Sequence, residues 1–181
     1  MRAASMYELA MGDSFNRLPL AVRRFHTLVG WHELHGWVYT DAPSTRAARV
    51  VALCLGTPRR ATNGPFRFEL HAAPEAETWI RHFPGQKMTS RIRLDARQLV
   101  EHLGPVRLTF DLCAAVSQLK LQLVGLHLFG VRCPLWLLPK VEAEETGQSD
   151  QLHFRIQVSL PRIGTVASYR GHLTISEKEP V

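Results

Sequence analysis

Four residues at spacing two, Glu77, Trp79, Arg81 and Phe83, combine charge with aromatic surface in one short run. On a strand, residues two apart share a face. An arginine beside a tryptophan can stack on the ring or hold an anionic group, and its planar fork suits carboxylates and phosphates. The next run brings Lys87, Thr89, Arg91 and Arg93 onto one face as well. Apolar walls with an arginine at the polar end would make a carboxylate or phospholipid site. The simpler reading is an external cross-strand ladder of Glu77 with Arg91 or Arg93, because opposite charges on adjacent strands pair routinely.

A second feature is Gly130 to Pro139, in which Pro134 and Pro139 bracket four apolar residues including Trp136. Proline keeps this segment out of a central strand. It either folds over an open end of the sheet as a lid or turns its apolar residues to a partner or membrane surface. The lid is the simpler expectation, since Trp136 is costly to expose.

Other groups offer less. Trp31-His32-Glu33-Leu34-His35-Gly36 is one residue short of the HExxH zinc helix, and on a strand His32 and His35 point to opposite faces. No metal or cofactor site is expected. There is no GxSxG elbow and no glycine-rich phosphate loop. Acid–base pairs can be drawn among Glu101, Asp111, Glu142, Glu144 and Glu145, and a carboxylate-dependent hydrolase or isomerase would use the acids near Glu101 and Glu144. On a polar sheet face such acids are usually solvated, so no catalytic residue is assigned.

The elements that must position these residues follow from hydrophobic period. Helical spacing covers Met6 to Ala10, then Leu18 to His26 with Pro19 in a first-turn position, then Ala47 to Leu55 before Gly56 and Pro58. From Pro65 the period changes to two. Strict alternation marks Phe66–Leu70, Glu77–Phe83, Lys87–Leu94, Val106–Leu112, Leu119–Leu123, Leu152–Leu160 and about Val166–Ser176, with an earlier strand at His32–Thr40. Residues 95–103 fit either a short helix or a strand. The expectation is a mainly β, α+β fold: a curved antiparallel meander or barrel-like sheet of about eight to nine strands, with short N-terminal helices. The N-terminal pair and the Ala47–Leu55 helix are the covers for its apolar face.

The 181 residues suggest one domain over residues 1–181, and 45% hydrophobic with 21% charged residues excludes a disordered chain. The net charge of +6 comes from 22 Lys+Arg against 16 Asp+Glu, and only Lys87, Lys120, Lys140 and Lys178 are lysines. These cations are dispersed and form no run of five or six, so nucleic acid is not the expected partner. Cys54, Cys113 and Cys133, odd in number and widely spaced, read as reduced thiols in a cytoplasmic protein. Charges and Pro134 interrupt the most apolar stretch, Leu119–Leu138, so no transmembrane helix is expected.

Leu18-Pro19 with Val22-Arg23-Arg24-Phe25-His26, then Trp79-x-Arg81-x-Phe83 with Gly85, Ser90-Arg91 and Gly104-Pro105, carry a resemblance. So do Gly130 through Pro139 before Glu142-Ala143-Glu144, and Tyr169-Arg170-Gly171-x-Leu173. Over about residues 14–174 the chain resembles the bacterial family domain of unknown function 4166. Members of that family stand alone or follow saccharopine-dehydrogenase-like domains, which implies an oxidoreductase as a possible partner. The resemblance brings no catalytic residue with it. The function expected is a non-enzymatic binding domain for an apolar or amphipathic small molecule or lipid with an anionic head group, with Trp79, Arg81, Arg91, Trp136 and Tyr169 at the site. The alternatives are an accessory module of such an oxidoreductase and the carboxylate-dependent enzyme.

Overall fold

A computed structural model describes residues 4–175. In chain order the elements are α1 (Met6–Met11), a 3-10 turn (Gly12–Arg17), α2 (Leu20–Phe25), β1 (Gly30–Thr40), α3 (Arg46–Leu55), β2 (Thr62–Ala73), β3 (Ala76–Phe83), β4 (Gln86–Asp95), β5 (Gln98–Leu103), β6 (Val106–Ala115), β7 (Gln118–Leu128), β8 (Val131–Arg132), a 3-10 turn (Leu135–Leu137), β9 (Lys140–Gln148), β10 (Gln151–Leu160) and β11 (Gly164–Thr174). The sheet runs β6-β5-β4-β3-β2-β1-β11-β10-β9-β7, and β6 also pairs with β7. That last pairing closes an antiparallel barrel of ten strands, and the two-residue β8 is an appendage on β7.

The barrel is therefore closed, with more strands than the eight to nine expected. The ambiguous residues 95–103 contribute one, as β5 between β4 and β6. Closure removes both sheet edges, which otherwise present unpaired N–H and C=O groups. Alternation sets the wall: along β2, Phe66, Phe68, Leu70 and Ala72 are buried while Pro65, Arg67 and His71 are exposed. On the seam between β1 and β11, Gly36 lies where an added Cβ would meet the His172 carbonyl oxygen at 1.8 Å. Only glycine allows the two backbones to approach this closely.

The strands run alternately, so their connections fall at two ends. At one end α1 and α2 insert into the barrel. Ser5 caps α1 through its hydroxyl, and the Glu8 carboxylate accepts from the Ser5 N–H, a reciprocal capping box. Met6, Tyr7, Val22 and Phe25 are fully buried there and join the core of the wall. At the other end α3 crosses the opening as a strap. Its N-terminus is held by Thr45, whose hydroxyl donates to the Ile163 carbonyl at 2.6 Å, and by Ser44, whose hydroxyl accepts from the Thr165 N–H. Its C-terminus stops at Gly56 in a left-handed conformation, and Gln86 Nε2 donates to the Gly56 and Thr57 carbonyls. Ala48 and Ala52 pack on Val166, while Val50 and Leu53 face solvent.

Candidate functional site

Between the inserted helices and the strap lies a cavity of about 530 Å³. Its wall is overwhelmingly apolar, built from inward positions of the strands such as Phe66, Ile92, Leu121, Phe154 and Ile156. Tyr7 and Phe25, both buried, close it at the helical end. Val50, Cys54, Leu128 and Phe129 line it too, and all four are exposed, so it opens beside α3.

The polar groups gather on the helical side, as a floor. Arg81 is only 6% exposed. Its guanidinium donates to Ser90 Oγ at 2.9 Å, lies 3.5 Å from Glu101 Oε1, and stacks 4.8 Å from the Trp79 ring centroid. Trp79 Nε1 donates to Glu77 Oε2 at 2.7 Å. Burial pushes the Glu77 carboxyl above its usual range, with Glu145 adding to the rise, against the lowering effects of His26 and the Trp79 bond. His26, from the end of α2, donates from Nε2 to Glu145 Oε2 at 2.6 Å across the barrel. Its ring stacks on Tyr7 with centroids 3.6 Å apart. Among the described residues the buried Tyr7 hydroxyl has no hydrogen-bond partner. Burial, then the charges of Glu77 and Glu145, hold it well above the ordinary phenol value. Tyr169, also on the wall, is raised by burial.

The structure brings together three of the five residues singled out from sequence: Trp79, Arg81 and Tyr169 all line the cavity. Arg91 does not join them. It sits on the outer face opposite Thr78 and His102, because Met88, Ser90 and Ile92 take the inward positions of β4. The ladder of Glu77 with Arg91 or Arg93 is overturned for the same reason: Glu77 points inward and is 5% exposed. Trp136 is also misplaced by the lid expectation. It is 74% exposed, in the 3-10 turn beyond β8, and does not line the cavity; α3 crosses the mouth instead.

The acidic pair shifts by one residue. Glu144 faces out and meets Lys120 Nζ at 3.0 Å, while its neighbour Glu145 is the inward acid. Glu101, Glu144 and Glu145 all border the cavity, but the Glu144 carboxylate is held by Lys120 while Glu101 and Glu145 are the more buried acids. His32 and His35 also diverge, His32 bonding the Val29 carbonyl and His35 reaching Glu33 at 3.1 Å. Tyr7 and His26 were missed. Their signal was the apolar face of the N-terminal helices, but the partner of His26, Glu145, stands 119 residues along the chain from it.

Fold and floor together define a class: a closed antiparallel β-barrel whose apolar interior ends in a buried polar cluster and opens beside a helical strap. The chain belongs to the family described as domain of unknown function DUF4166, whose model matches residues 18–173. No curated protein matches the chain. Among solved structures, the crystal structure of Rv2717c from M. tuberculosis aligns at 12% identity with a TM-score of 0.46, covering 88% of this chain and 99% of that one.

Proposed function

We propose that the barrel is a non-enzymatic binding domain that encloses an apolar or amphipathic small molecule, tail along the wall and polar end on the Arg81 floor. The observation that carries this reading is a cavity of about 530 Å³ with apolar walls and a single polar end. Its volume falls inside the range of ~300–1,000 Å³ typical of small-molecule sites. The partnerless Tyr7 hydroxyl supports it, since a buried polar atom without a bond is the place an incoming group would satisfy.

The floor narrows the head group. Arg81 is its cation, but Glu101 lies 3.5 Å away and already draws on that charge. A fully anionic head would meet Glu101 as well as Arg81. A group that both donates and accepts, such as a hydroxyl or amide, fits Arg81, Glu101 and Tyr7 together. The oxidoreductase-module reading would use a different surface, the exposed apolar residues at the mouth.

The test is titration with a fluorescent polyene fatty acid and the polyene alcohol of the same length. The wild-type protein is expected to bind the alcohol at least as tightly as the acid. Glu101→Gln should shift the preference toward the acid by roughly tenfold, the worth of a hydrogen bond to a charged group. Arg81→Met should weaken both. No saturable uptake of either probe would overturn the reading.

A further inference from the structure

The mouth end of the barrel carries an exposed apolar patch. Among the described residues, Val50 and Leu53 on α3, Leu128 at the end of β7, Phe129 and Val131 in the hairpin, and Leu135, Trp136 and Leu137 beyond it are all solvent-facing. All lie on α3 or on the connection from β7 to β9 at the mouth, and the Gly104–Pro105 turn bridges α3 to Phe129: a Cβ on Gly104 would lie 3.7 Å from the Cys54 carbonyl, and Phe129 N–H donates to the Pro105 carbonyl at 3.0 Å. Phe129 itself is 79% exposed and holds φ +50° ahead of Gly130 at φ +81°. Paired left-handed turn positions favour Asn, Asp or Gly, so a phenylalanine held outward at the tip runs against local preference.

The charge around this patch has one sign. The connecting segments at the mouth, residues 41–61, 84–85, 104–105, 129–139 and 161–163, contain Arg46, Arg49, Arg59, Arg60, Arg132 and Arg162 against the single acid Asp41. All six arginines are exposed, and none forms an ion pair among the described residues. Asp41 is engaged by the Ser168 hydroxyl at 2.6 Å. Aromatic and aliphatic side chains ringed by arginine are the composition that inserts at the headgroup boundary of an anionic bilayer. A second copy is a poorer occupant: a two-fold dimer through this face would set arginines against arginines.

We propose that the mouth end docks on an anionic lipid surface, with Phe129, Val131, Leu135 and Trp136 entering the headgroup boundary and the six arginines facing lipid phosphates. The contact proposed is peripheral, made by side chains of the mouth alone; no helix among the described residues is long and apolar enough to cross a membrane. Docking needs no bound ligand. If the interior does hold one, the cavity mouth lies within the docked face, and an apolar molecule would pass between bilayer and barrel without crossing water.

Vesicle co-sedimentation tests this with the full chain. Vesicles of phosphatidylcholine alone are compared with equal parts of phosphatidylcholine and phosphatidylglycerol, at low and rising salt. The protein is expected to sediment with the mixed vesicles and be released by salt. Arg59→Ser with Arg60→Ser should weaken partitioning about five-fold per arginine. Phe129→Ser with Trp136→Ser should abolish it, and Val116→Ser at the opposite end should leave it unchanged. Thermal melting of each variant establishes that it is folded. No sedimentation with the anionic vesicles would overturn the proposal, as would binding that ignores both mouth pairs. A stable dimer dissolved by the Phe129/Trp136 pair would assign the patch to a second copy and overturn it equally. Because this readout needs no cargo, its failure leaves the interior site standing, and an empty interior leaves the docking intact.

Discussion

The two ends of the barrel close differently. At the helical end, α1 and α2 push large side chains inside, and Met6, Tyr7, Val22 and Phe25 are essentially inaccessible. Connecting segments there balance Glu8, Asp13, Glu75 and Asp150 against Arg17, Arg23, Arg24 and Arg97. At the mouth, α3 lies across the opening on small residues, Ala48 and Ala52, and leaves valine, leucine and cysteine side chains around a gap. Arginine dominates there. The contrast teaches that one end is built as a floor, where polar groups are buried and all but a few, such as the Tyr7 hydroxyl, are paired, and the other as a surface, where apolar groups are exposed and cations stand free of ion pairs. A barrel made only for rigidity would have no reason to treat its ends so unequally.

The largest expected effect comes from breaking the floor. His26→Ala strands Glu145 inside the barrel. Removing one partner of a buried pair costs about 3–5 kcal/mol, which lowers Tm by roughly 6–20 °C in a chain of this length. The double variant His26→Leu with Glu145→Leu should recover most of that loss in calorimetry, because the penalty belongs to the unpaired acid. If both variants melt alike, the floor is held by packing alone and the comparison loses half its content.

Glu77 gives a smaller effect with a definite sign. Its folded-state pKa is raised by burial, so the unfolded chain releases this proton more readily than the folded one. Its unfavourable contribution is absent below the ordinary carboxylate value. It develops as pH rises from there through the raised folded value, and is fully present above it. Glu77→Gln keeps an acceptor for Trp79 Nε1 and removes the titration. The variant should melt higher than wild type at neutral pH, and the gap should vanish in acid. A gap that widened in acid would contradict the assignment.

The smallest effect is expected at the mouth. Phe129→Ser with Trp136→Ser removes two exposed side chains and should leave stability within about 0.5 kcal/mol of wild type. A large loss in the same melting experiment would mean that the patch is part of the fold rather than a surface.

Much of this was legible in the sequence where alternation is strict. Glu77-x-Trp79-x-Arg81-x-Phe83 keeps one parity throughout, so the run showed that the four share a face but not that this face turns inward, and the simpler external ladder was the wrong side; the two helical covers announced themselves through proline, glycine and capping residues. Arg91 failed on parity between strands. Its own run alternates with Met88, Ile92 and Leu94, which claim the interior, and a slip of one residue exchanges every side chain between faces. Glu145 was hidden because β9 reads Val-Glu-Ala-Glu-Glu-Thr-Gly-Gln, with too few apolar residues to fix which glutamate turns inward. The β1–β11 pairing without which the ring could not close joins residues such as Gly36 and Leu173, and the meeting of His26 with Glu145 spans 119 residues; no local pattern encodes either.

The central claim is that the interior is a site and not a packing defect. Native mass spectrometry of the protein as purified from its own host tests it most directly, alongside Ala143→Trp, which would place an indole into the cavity from β9. The account predicts an added small-molecule mass on the wild-type protein, absent from a folded Ala143→Trp variant. Bare chain mass for both, or the same adduct on both, would contradict it.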